Sequence, residues 1–250
     1  MDTKFWGPDG WKFFHSICQL YNKEEEEIYY EFFNTIKGIL PCIYCRISFK
    51  NFVEQLPINL TDKKSLTKWM YLIHNKVNDK LRNQGHLEEE NPVYEDIYIK
   101  YENYLSERNN QKCKTIDGMN FIYCVFFNYP ENINNCDENM TAERISNYVT
   151  FLLLLSKIYP DCIVKNIFKD KINNLKDYEL IEIMTFRKNI INLLYMIEKE
   201  ITKVNDIQCI SYDERCKIIE SYRAGCKNNT CRAKDKGGDK GGDKGGDKKG

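Results

Sequence analysis

The stretch LPCIYCRISF, Leu40 to Phe49, holds the tightest pair of cysteines in the chain. Pro41 interrupts one helical stripe, and Cys45, Phe49, Phe52 and Leu56 begin the next, so Cys42 falls at a helix N-terminus. Unpaired backbone N–H groups and the helix dipole favour a thiolate there. A two-residue spacer also lets the two sulfurs meet in a disulfide. The same spacing suits zinc, but a closed structural zinc site takes four ligands, and the N-terminal half shows no second close pair. On spacing alone a redox couple, a zinc claw and a pair of core thiols all stay open.

The flanking sequence predicts helices. Trp11, Phe14, Cys18 and Tyr21 recur at helical spacing, as do Ile28, Phe32, Ile36 and Ile39. After the break PINLTD, with Thr61 or Asp62 as N-cap, Leu66, Trp69, Ile73, Val77 and Leu81 form a fourth stripe. Asn91 and Pro92 suit an N-cap and first helical position for a short fifth helix through Tyr104. Four amphipathic helices with short connections favour a bundle. A redox pair of the thioredoxin kind follows a strand in a βαβ unit, and no alternating strand pattern appears.

From about Arg108 the texture changes. Helical patterns resume at Phe121–Phe127, Ala142–Tyr159, Tyr178–Val204 and Glu214–Tyr222, which predicts a second helical domain. The fold class is therefore all-α: a bundle over residues 1–107, a second helical domain over 108–232 and a tail over 233–250. The tail repeats DKGG and cannot bury a core. Cys124, Cys136 and Cys162 read as buried or unpaired thiols.

Thirty-seven basic residues balance 37 acidic ones, which argues against the strong positive field of a dedicated nucleic-acid binder. No basic segment followed by an apolar run opens the chain, so no secretory signal is expected. The longest apolar run, YVTFLLLL at Tyr148–Leu155, is shorter than the ~20 residues of a membrane span and reads as a buried helix. Eleven cysteines are many for such a chain, and close pairs in a reducing compartment usually serve metal binding or catalysis.

Two more stretches narrow the choice. WGPDGWKFFH puts Trp11 and His15 one turn apart, and WMYLIHNKVNDKL carries His74, Asn75, Val77, Asn78 and Leu81 on or beside one helix face. Buried imidazole and amide groups require partners, and a flat ligand rich in donors and acceptors would supply them. Together W-x3-H, then Pro41-Cys42-Ile43-Tyr44-Cys45, then W-x4-H-N-x-V-N-x-x-L from Trp69 resemble the Erv/ALR flavin-linked sulfhydryl oxidases. The resemblance covers about residues 5 to 105. The added helical part and the Asn-, Ile- and Lys-rich composition resemble the branch found in large DNA viruses.

That resemblance implies FAD held in the mouth of the bundle, without a Rossmann glycine loop. Cys45 would be the flavin-proximal sulfur, and Cys42 the one attacked by an incoming thiol. Gly7, Trp11, His15, Phe49, His74, Asn75, Val77, Asn78 and Leu81 would line the cofactor. Where members often carry a lysine after the motif's leucine, this chain has Asn83, with Arg82 as the substitute phosphate partner. Cys113 is the nearby candidate for the structural disulfide of cellular members. CKNNTC at Cys226–Cys231 is a candidate shuttle pair. The implied partners are protein dithiols, molecular oxygen and a second copy of the chain, with no nucleic acid, membrane or metal. The implied location is the host cytoplasm, in the viral factory, and the virion. The rival readings are a zinc-stabilised helical interaction module and a flavin-free disulfide exchanger.

Overall fold

The computed structural model describes residues 1–110, 115–135 and 140–223. Cys113, Cys136, Cys226, Cys231 and the tail lie outside the described residues. Every named element is helical. α1 (Thr3–Gln19), α2 (Glu26–Ile39), α3 (Ile43–Gln55) and α4 (Lys63–Asn83) form the expected bundle, and α5 (Tyr94–Asn110) packs on α1 and α4. Caps fix the starts. Asp2 accepts from Lys4 N–H at 2.9 Å, and Asp62, rather than Thr61, accepts from Ser65 N–H at 2.7 Å.

α5 is not short. It starts at Tyr94, not Pro92, and runs six residues beyond Tyr104. Tyr94 is buried, with its hydroxyl 2.9 Å from that of Thr67 on α4. The far end is held by charge. Arg108 pairs with Asp117 and with Asp161 (3.2 Å), and Lys12 of α1 meets Asp117 at 2.9 Å. Tyr104 and Arg108 share the same Asp117 oxygen. Arg108, Asp117 and Asp161 are nearly buried, so removing one of them would strand a charge.

Beyond residue 115 come α6 (Met119–Phe127), α7 (Ala142–Ile158), α8 (Cys162–Asn173), α9 (Asp177–Thr185), α10 (Arg187–Asn205) and α11 (Tyr212–Ser221). Two expectations fail here. The helix expected over Tyr178–Val204 is two helices, because Phe186 is extended (φ −126°, ψ 128°) and bridges to Asn132. α8 was not anticipated, although Asp161 is a plain N-cap whose carboxylate accepts from Ile163 and Val164. Cys124 is a buried free thiol, and Cys162 an exposed free thiol at the start of α8. The apolar run Tyr148–Leu155 lies inside α7 with most of its side chains buried, and no described helix is long and apolar enough to cross a membrane.

α6 packs on α1 and α7 on α2, and one hydrophobic core runs through both halves. Phe13, Phe14, Phe32, Phe121 and Phe151 meet in it, with Phe14 and Phe121 at a centroid distance of 5.1 Å. Asp9 on α1 caps α6, accepting from Gly118 N–H (2.9 Å) and Phe121 N–H (3.2 Å). Gly118 stands at φ +81° with the Phe13 ring against it, a conformation and a space that suit no side chain. Because the core is shared, Phe121→Ala is expected to cost about 3–5 kcal/mol. Calorimetry should show one unfolding transition, moved down as a whole. A second transition that stays in place would separate the two halves.

Candidate functional site

Cys42 is the N-cap of α3, and its sulfur accepts from Cys45 N–H at 3.4 Å. The thiol thus stands where serine or aspartate usually caps a helix, with a backbone donor directed at sulfur. Cys42 is 2% exposed and Cys45 is half-buried. Leu40, just before them, accepts from Arg46 at 2.7 Å through its carbonyl, which fixes the turn around Pro41.

Both cysteines line an apolar cavity between α1, α3 and α4. α1 contributes Thr3, Trp6, Gly7, Gly10, Trp11 and Phe14, a single helical face at spacings of three and four. Phe49 and Ser48 of α3 and Val77, Lys80 and Leu81 of α4 complete most of the wall, and Gln84 closes the end of α4. A Cβ on Gly7 would meet nothing within 4 Å, so this position opens space.

Of the residues anticipated from sequence, Gly7, Trp11, Cys42, Cys45, Phe49, Val77 and Leu81 share this cavity. His15 and His74 stand behind it. Trp11 stacks on His74 at 3.9 Å, His15 stacks on Tyr101 at 4.6 Å, and the two imidazoles join through Nε2 and Nδ1 at 3.1 Å. Asn75 and Asn78 lie outside the lining. Both are half-buried, and Asn78 donates to Asn91 Oδ1 at 3.0 Å, tying α4 to the approach to α5. Arg82 is turned outward, bound to Asp79, the Glu89 carbonyl (2.7 Å) and Asn91. The cation at the cavity is instead Lys80, whose Nζ donates to Ser48 Oγ at 2.7 Å.

Sequence reading missed Thr3, Trp6, Gly10, Phe14, Ser48, Lys80 and Gln84. Gly10, Phe14, Ser48 and Lys80 each follow an anticipated residue by three positions, so the helical stripes would have found them, whereas Thr3, Trp6 and Gln84 lie at helix ends. Among the described residues, no group of three or more His, Cys, Asp or Glu side chains is placed to hold a metal ion. A zinc-stabilised module has no ligand set there.

Burial sets the two histidines apart from free imidazole. Burial pushes His15 well below the usual 6.5, with the charges of His74 and Lys100 acting in the same direction. Burial and then Lys100 bring His74 down to about 4. A folded value below the unfolded one means stability is complete above about pH 6.5 and is lost as the pH falls toward 4. Melting temperature is therefore expected to drop through that window, with a shallower slope in His74→Phe, which keeps the stack on Trp11. An equal slope in that variant would assign the acid sensitivity to other groups.

Residues 8–97 match the Erv1 / Alr family. The chain is 35% identical over 85 residues to a probable FAD-linked sulfhydryl oxidase of Acanthamoeba polyphaga mimivirus, covering 31% of this chain and 59% of that protein. It is 28% identical over 85 residues to a mitochondrial FAD-linked sulfhydryl oxidase of Saccharomyces cerevisiae, covering 32% and 45%. An FAD-linked sulfhydryl oxidase of African swine fever virus is 28% identical over 81 residues, covering 30% and 67%. The chain thus spans about half the length of the first two of these relatives. No solved structure matches it.

Proposed function

Taking residues 8–97 as an Erv1/Alr family domain, we propose that the chain is an FAD-linked thiol oxidase. It would form disulfides in protein dithiols, reduce oxygen and release hydrogen peroxide. The observation that carries this reading is the apolar cavity lined by both Cys42 and Cys45. A flavin ring fits its walls. The lining is largely hydrophobic, Gly7 leaves room, and three buried polar atoms of Thr3, Trp6 and Gln84 have no partner among the described residues. Trp11, Phe49, Val77 and Leu81 would hold the ring system, and His15 and His74 would brace the Trp11 wall. Asn75 and Asn78 would serve the outer part of the cofactor. When bound, FAD supplies a two-electron acceptor that oxygen can reoxidise.

The rest is thiol chemistry of the chain itself. A substrate thiolate attacks Cys42 of the Cys42–Cys45 disulfide, forms a mixed disulfide and releases Cys45 as thiolate. The second substrate thiol, as thiolate, attacks the substrate sulfur of the mixed disulfide. The substrate leaves as a disulfide, Cys42 is released, and both cysteines are now reduced by two electrons. The electron pair leaves from Cys45. At 2% exposure Cys42 must be uncovered first. Beside it, the Met1 amine donates to the Pro41 carbonyl at 3.2 Å. Serine at Cys42 or Cys45 is expected to abolish oxygen consumption while FAD remains bound. Full turnover in either variant would end this mechanism.

A homodimer and action in the host cytoplasm or virion belong to the same proposal; the viral relatives fit a viral origin. A second copy would meet a face other than the parts of α1 and α2 already covered by α6 and α7. Cys226 and Cys231 are proposed as the relay between substrate and Cys42. Tyr222 supports this: its carbonyl accepts from Asp2 N–H at 2.8 Å, and its ring stacks on Phe5 at 3.8 Å. Asp2 adjoins Met1, and Met1 touches Pro41, so the chain leaves Tyr222 close to the active pair. Cys226 is four residues further on, an extended reach of about 14 Å. Serine at Cys226 and Cys231 should slow oxidation of a folded protein dithiol but spare dithiothreitol. Unchanged rates with both substrates would remove the pair from the pathway.

A further inference from the structure

The cavity is apolar apart from a few atoms, and those atoms form a pattern. Among the described residues, five buried side-chain polar atoms have no hydrogen-bond partner. Three of them belong to residues that line this one cavity: Thr3 Oγ1, Trp6 Nε1 and Gln84 Oε1. Leaving such an atom unpaired is costly in a buried site, and three beside one cavity mark the place of a polar ligand edge. Two further polar side chains of the lining, Lys80 and Ser48, are bonded to each other.

The position of the three is defined by the helices. Thr3 and Trp6 stand on the first turns of α1, and Gln84 is the C-cap of α4. The two helices run antiparallel, with His15 and His74 bonded further along them. Thr3 is twelve residues from His15, about 18 Å along the helix. The polar end of the cavity is therefore remote from the histidine stack.

Their chemistry is also defined. The indole N–H of Trp6 only donates, the amide oxygen of Gln84 only accepts, and the hydroxyl of Thr3 does either. Donor, acceptor and donor complement a cyclic imide, which presents a carbonyl, an N–H and a second carbonyl along one edge. We infer that Thr3, Trp6 and Gln84 receive the imide edge of the flavin ring, with the Gln84 amide oxygen accepting from its N3–H. This rests on the thiol-oxidase reading above and adds an orientation to it: the pyrimidine ring points to the start of α1 and the end of α4.

The test uses the full chain stripped of flavin and reloaded with FAD or with FAD methylated at N3, which removes the donor. Binding is followed by flavin absorbance and fluorescence, and the fold by circular dichroism. Wild-type protein is expected to bind the N3-methyl form about ten- to a hundredfold more weakly. Gln84→Met should bind both forms alike to within about twofold. Trp6→Phe and Thr3→Val should weaken FAD itself while keeping the preference over the N3-methyl form. Equal binding of both forms by wild type, or full discrimination in Gln84→Met, overturns the assignment and leaves the oxidase reading standing. Failure of the folded wild type to take up FAD at all overturns both.

Discussion

Helix α1 packs against α4 on one side and α6 on the other, and the rest of the molecule depends on how its residues are divided between them. Thr3, Trp6, Gly7, Gly10, Trp11 and Phe14 face the cavity toward α3 and α4. Phe13 and Ile17 are fully buried in the core shared with the second half. Asp9 lies between the two faces and caps α6. The same helix thus keeps one seam open and seals the other. Gly10 serves both: it lines the cavity, and a Cβ there would sit 3.2 Å from the Phe121 ring.

The cysteines show how environment, rather than number, decides chemistry. Cys18 and Cys124 are buried among apolar side chains, and burial pushes their thiols up, Cys124 to about 12. Neither lines the cavity, and such thiols are poor nucleophiles. Cys42 and Cys45 combine a helix N-terminus, a backbone N–H directed at sulfur and a wall of the cavity. That combination suits exchange and electron transfer, which the core thiols cannot perform.

Most of the first hundred residues was legible, because each helix of the bundle has one buried face and a regular stripe to declare it. Phe49, Val77 and Leu81 stand on those stripes, and all line the cavity. Asn75 and Asn78 were placed on the motif's spacing, but a residue beside a stripe points away from the cavity as readily as into it. α5 was read short because its last turns are held by Arg108, Asp117 and Asp161, and charge pairing across distant residues leaves no local period. The break at Phe186 was missed for a similar reason. An extended residue bridging to Asn132 is a tertiary event within a continuous helical pattern. Thr3, Trp6 and Gln84 sit at helix ends, where stripes are weakest, so their shared cavity becomes visible only once α1 and α4 are packed.

The visible absorption spectrum during a single reduction and reoxidation tests the central claim most directly. The purified protein should be yellow, with about one FAD per chain. Excess dithiothreitol without oxygen should bleach the flavin band, and admitting air should restore it with release of hydrogen peroxide. A folded but colourless protein, or a flavin band that dithiothreitol leaves untouched while the Cys42–Cys45 disulfide is reduced, would contradict the proposed coupling of this cysteine pair to the cavity.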